Sequence, residues 1–113
     1  MKIYHNPRCG KSRQTLILLQ ERVENIEIIE YLKDDLSVIE LEGIIEKLGI
    51  DPINLVRKKE QIWIENYKNK DLNSEEIIEI MKDYPKIIER PIVVKGKNAI
   101  IGRPPENVLS LLL

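Results

Sequence analysis

The sequence predicts an α/β protein in which a βαβ unit, a helical insert and a ββα unit share one mixed four-stranded sheet. Two short strand candidates flank an amphipathic helix at the N-terminal end, and residues 36–84 carry helical periodicity with capping residues. Two further short apolar runs around a glycine, then a proline-initiated helix, close the chain.

Each element has a local reason. "KIYH" reads as the first strand, and Asn6-Pro7 after it is a turn signal. From about Lys11 to Arg22 the apolar residues Leu16, Leu19 and Val23 recur at helical spacing, and "NIEIIEYL" reads as the second strand. A helical crossover between two strands makes them parallel, with a right-handed connection. In the middle, Ser37 is an N-cap with Glu40 completing a capping box. Leu41, Ile44, Ile45 and Leu48 form an apolar stripe that stops at Gly49. Asp51 and Pro52 repeat the helix-start signal, and Asn73 or Ser74 caps a third helix that ends before Pro85. "RPIVVKGKNAIIG" reads as two strands turning at Gly96, and "PPENVLSLLL" as the closing helix. The expected organisation is a single domain, 1–113, with the 36–84 segment as an insert within it.

Composition sets outer bounds. A chain of 113 residues, 42% apolar and 33% charged, is long enough for one hydrophobic core and has an ordinary globular balance. Its longest apolar runs fall short of the roughly 20 residues that a membrane span requires. No apolar signal region follows Met1, and a single cysteine excludes an internal disulfide framework, so a reducing cytoplasm is expected. A net charge of −1 with no extended basic face argues against nucleic acid as a partner, and a monomer is the expected state.

The chemistry concentrates in "YHNPRCGKSRQTL", residues 4–16, which holds both the only cysteine and the only histidine. A lone cysteine is more often a small buried hydrophobe than a reactive group. Here the proline turn, Gly10 and the acid-free cluster of Arg8, Lys11 and Arg13 point instead to an exposed loop. A thiol attacks as thiolate, and at an unperturbed pKa of ~8.5 little of it is ionised at pH 7. The start of a helix and surrounding cations lower that pKa, and a protonated His5 would add to them. The same free backbone N–H groups form a seat for a tetrahedral oxyanion. Ser12, third after Cys9, offers a hydroxyl to the thiolate or to the helix start, but it cannot resolve a disulfide.

"YHNPRCGKSR", "LVRKK", "RPIVV" and "GRPPENVL", in this order and spacing, resemble the glutaredoxin-dependent arsenate reductase family, within the ArsC/Spx superfamily of thioredoxin-like proteins. The resemblance implies a thioredoxin-like fold and makes Cys9 the nucleophile, with His5 and Ser12 tuning it. It also implies that Arg57, Arg90 and Arg103 bind the oxyanion, and that Pro91 is the cis-proline facing the cysteine. Arsenate would be reduced to arsenite through a Cys9 adduct, with glutathione as co-substrate and glutaredoxin as partner. No metal and no bound cofactor are implied. Two other activities occur on this scaffold: an Spx-type regulator binding the RNA polymerase α subunit, and a glutathione-linked thiol oxidoreductase of other substrate. "CGKS" in place of Cys-x-x-Cys, together with all three arginines, favours the reductase.

Overall fold

The strand β1 (Lys2–Tyr4) organises the sheet. In the computed structural model, which describes residues 1–113, β1 pairs in parallel with β2 (Glu27–Ile29) and antiparallel with β3 (Ile92–Lys95). β3 in turn pairs antiparallel with β4 (Asn98–Ile101), giving the order β2-β1-β3-β4. This mixed sheet, with a helical crossover between β1 and β2 and a hairpin at its other side, is thioredoxin-like. Its register sets Ile3 beside Ile28 on one side and Val93 on the other.

Helix α1 (Gly10–Gln20) makes the crossover and buries Ser12, Thr15 and Leu19. It ends two residues earlier than the apolar spacing predicts, because Arg22 and Val23 both donate to the Leu19 carbonyl and tighten the chain into a turn. β2 is shorter than "NIEIIEYL": Lys33 and Asp34 donate to the Glu30 carbonyl, so the chain turns directly after the strand. The β3–β4 hairpin closes through Gly96 and Lys97, with Lys95 opposite Asn98. Gly96 has φ 60° and Lys97 keeps a negative φ, the pattern of a type II′ turn that only glycine enters without strain. Ile3, Leu19, Val93 and Val108 are wholly buried and form the core here, with Leu16, Leu18, Ile26 and Ile100 against them.

The closing segment Pro105–Leu112 is a 3-10 helix and not the α-helix that its proline start suggests. Asn107 donates its backbone N–H to the Pro104 carbonyl, three residues back. Its side chain donates to the Arg103 carbonyl, and the Ser110 hydroxyl to the Asn107 carbonyl, so side chains take acceptors that an α-helix would use.

Residues Asp35–Glu89 form a compact unit of their own, distinct from Met1–Asp34 with Arg90–Leu113. It runs five residues past the expected end at 84, because Val56 and Ile88 form a bridge flanked by Arg57 N–H to Ile87 O and Glu89 N–H to Leu55 O. Helix α2 (Val38–Leu48) starts at Ser37, whose hydroxyl accepts from the Glu40 N–H, and stops at Gly49 with φ 66°. Pro52–Leu55 forms only a 3-10 turn, without a side-chain bond from Asp51. Helix α3 (Gln61–Asn66), too short for its periodicity to stand out, was not expected. Helix α4 (Ser74–Asp83) is capped by Asn73, which exchanges bonds with Glu76 in a full capping box. α2 and α4 bury Leu41, Ile44, Ile45, Ile77, Ile78 and Met81. No helix in the chain is long and apolar enough to cross a membrane.

Ile3 and Leu19 are at 0% exposure, whereas Ile39 on α2 is 82% exposed. Ile3→Ala or Leu19→Ala is therefore expected to cost about 2–5 kcal/mol in urea unfolding. Ile39→Ala should stay within about 0.5 kcal/mol of the parent. Equal effects at the buried and exposed positions would contradict this placement of the core.

Candidate active site

The passage from β1 to α1 takes five residues, His5 to Cys9. His5 continues the strand pairing by donating its N–H to the Ile29 carbonyl at 2.8 Å. The chain then makes a β-turn over Asn6-Pro7-Arg8-Cys9, closed by Cys9 N–H to Asn6 O at 3.0 Å. Asparagine at the first position and proline at the second suit this turn, and Asn6 Oδ1 also accepts the Arg8 N–H at 3.0 Å. Cys9 thus becomes the N-cap of α1, extended at φ −93° and ψ 123°, with its carbonyl accepting the Arg13 N–H. The exposed Arg13 guanidinium donates to the Pro7 carbonyl at 3.0 Å.

Cys9 is half-buried, and burial alone would push its thiol up. The Ser12 backbone N–H, the guanidiniums of Arg90 and Arg103, and the Arg90 charge act the other way, and the thiol ends below its ordinary value. Arg103 Nη1 lies 3.8 Å from Cys9 Sγ and donates to the Arg90 carbonyl at 3.1 Å. Arg90 is buried, at 8% exposure, just ahead of β3. The Arg90–Pro91 peptide bond is cis, and so is Arg103–Pro104, which no sequence signal singled out.

Two expectations need correction. His5 adds no positive charge at neutral pH: burial holds its pKa below the ordinary 6.5, assisted by Arg13 and opposed by Glu30. Ser12 presents its backbone N–H to the thiol, while its buried hydroxyl is taken up by other partners. That hydroxyl accepts the Asn6 N–H at 3.0 Å and lies 2.6 Å from His5 Nδ1. His5 and Ser12 therefore tie the end of β1 to the first turn of α1.

The structure brings His5, Cys9, Ser12, Arg90, Pro91 and Arg103 into one unit. Arg57 belongs to the 35–89 unit, where its Nε lies 3.6 Å from Glu60 Oε1. No cluster of three or more His, Cys, Asp or Glu side chains is arranged to hold a metal ion. Sequence reasoning missed Thr15 and Gly102, which touch across 87 positions of sequence. Asn6 was legible as a turn residue, but not as the acceptor that positions Cys9. Chemically, the site offers a thiol of lowered pKa, the N–H groups of a helix start and two guanidiniums, a set suited to an anion under nucleophilic attack.

The ArsC family profile matches residues 4–111. The chain is 45% identical over 112 residues to an arsenate reductase of Haemophilus influenzae, with 97% of each chain covered. It is 44% identical over 114 residues to the uncharacterized protein YfgD of Escherichia coli, covering 99% of this chain and 96% of that one. The solved arsenate reductase from Vibrio cholerae superposes with a TM-score of 0.91 at 41% identity, with 97% of each chain covered.

Iodoacetamide alkylation of Cys9, followed against pH, is expected to show a midpoint below that of free cysteine. Arg103→Ala should raise it. Because the folded thiol ionises at lower pH than the unfolded one, the thiolate's stabilising effect is present above the unfolded pKa and is lost as pH falls through the folded pKa. Urea unfolding should accordingly show the parent gaining stability over Cys9→Ser as pH rises across that window. A midpoint at or above the free-thiol value would contradict the electrostatic reading.

Proposed function

The chain belongs to the ArsC family, and from that premise we propose that it reduces arsenate to arsenite through a covalent adduct on Cys9. The observation that carries the reading is the lowered-pKa thiol at the start of α1, with Arg103 Nη1 at 3.8 Å and the buried Arg90 beside it. In the first step the Cys9 thiolate attacks arsenic, an S–As bond forms and one oxygen leaves as water after protonation. The guanidiniums and the first N–H groups of α1 bind the oxygens that remain and balance their charge. Arg57 is assigned as the third oxyanion ligand on the strength of its "LVRKK" segment.

Reduction of As(V) to As(III) needs two electrons, and the chain has no second cysteine to supply them with Cys9. A glutathione thiolate attacks the Cys9 sulfur, forming a mixed disulfide while the S–As electron pair departs with arsenic as arsenite. Glutaredoxin then takes the glutathionyl group and returns Cys9 to its thiolate form. No bound cofactor enters this cycle, which runs in a monomer within a glutathione-rich cytoplasm. His5 and Ser12 support it by holding the loop, since the neutral imidazole and the serine hydroxyl are bonded to one another.

The test is arsenate-dependent NADPH oxidation by the purified protein with glutathione, glutaredoxin and glutathione reductase. Cys9→Ser is expected to abolish turnover. Arg90→Lys, Arg103→Lys and Arg57→Lys should each lower kcat/KM by roughly 30- to 1,000-fold, since an ammonium keeps the charge but loses the paired donors, about 2–4 kcal/mol of transition-state stabilisation. Absence of arsenate-dependent oxidation would defeat the proposal. Glutathione-dependent reduction of other mixed disulfides would then favour a thiol oxidoreductase, and binding to the RNA polymerase α-subunit domain would favour a regulator.

A further inference from the structure

Arg103 reaches Cys9 across 94 positions of sequence, so its place depends on how the turn after β4 seats against α1. The two meet at Thr15 and Gly102. Thr15 is wholly buried, and its hydroxyl lies 2.8 Å from the Lys11 carbonyl and 3.3 Å from that of Gly102. One hydroxyl hydrogen is thus shared between its own helix and the turn. Gly102 is also buried, and its N–H donates to the Pro91 carbonyl at 2.9 Å. A Cβ placed on Gly102 would stand 2.7 Å from Thr15 Oγ1, 2.9 Å from Pro91 Cγ and 3.0 Å from Thr15 Cγ2. Only a residue without a side chain allows the turn to come so close.

We propose that the Thr15–Gly102 contact positions Arg103 on the Cys9 sulfur, so that these two residues act on the thiol through the guanidinium without touching it. Arg103 follows Gly102 directly, its N–H is bonded to Ile101 O at 2.9 Å, and its side chain is held against the Arg90 carbonyl. Restoring the Thr15 Oγ1 contact to an ordinary 3.4 Å would move the turn by about 0.7 Å. At 3.8 Å the Arg103–sulfur contact has little reach to spare, and a retreat of that size weakens both its directional bond and its Coulomb attraction. The proposal rests on the reading of Cys9 as a thiolate nucleophile and adds to it the packing that sets the thiolate's environment.

The readout is the pH midpoint of iodoacetamide alkylation, unambiguous because the chain has one cysteine. Gly102→Ala is expected to raise the midpoint by at least about half the shift produced by Arg103→Gln. In the double variant it should add nothing to Arg103→Gln, since the contact works through that guanidinium. An unchanged midpoint in Gly102→Ala, or a shift that persists in full on the Arg103→Gln background, overturns the proposal. If Gly102→Ala does not fold, Thr15→Val, which keeps the shape and loses only the hydroxyl, takes its place. Its rise must likewise vanish on the Arg103→Gln background, and absence or persistence of that rise overturns the proposal. The measurement uses no arsenate, so a protein inactive toward arsenate can still show this coupling, and an active reductase can still fail it.

Discussion

The competition between desolvation and local positive charge at Cys9 governs the rest of the site. A fully exposed thiol would ionise near its ordinary value, and a fully buried one would be protonated and inert. Half-burial at the N-cap of α1 places the sulfur where the Ser12 N–H and the Arg90 and Arg103 guanidiniums outweigh the burial that opposes them. Each of these partners is delivered by a different part of the fold: the first turn of α1, the segment leading into β3 and the turn after β4. The sheet order β2-β1-β3-β4 is what brings those three parts to one unit.

Much of this was legible in the sequence where a signal is local. Ser37, Gly49 and Asn73 mark helix ends because capping chemistry depends on residues three or four positions apart, and they sit where expected. Gly96 marks the hairpin because a two-residue turn needs a positive φ. Asn6-Pro7 marks the turn before Cys9 for an equally local reason. What escaped depends on contacts far apart in sequence or on competition between weak local terms. The six residues of α3 carry too little periodicity, and in the closing segment Asn107 and Ser110 tip the balance to 3-10 geometry.

The site shows the same division. Residue types and their clustering at Cys9 pointed to a reactive thiol, and three arginines in recognisable segments pointed to an oxyanion. The charge state of His5 did not follow from its type, since it depends on burial. The use of the Ser12 hydroxyl depends on His5 and Asn6 reaching it first. Gly102 reads in the sequence as one more turn glycine. Only the packed structure shows that its missing Cβ is the space into which Thr15 fits.

With serine at the third place after Cys9, the electrons that follow the first attack must come from outside the chain, and this ties the proposed activity to a covalent intermediate on one known sulfur. Intact-mass spectrometry of the protein after incubation with glutathione, with and without arsenate and without glutaredoxin, tests that claim directly. The account predicts one glutathionyl group, located on Cys9, that accumulates only when arsenate is present. An unmodified protein, or glutathionylation equal with and without arsenate, would contradict it.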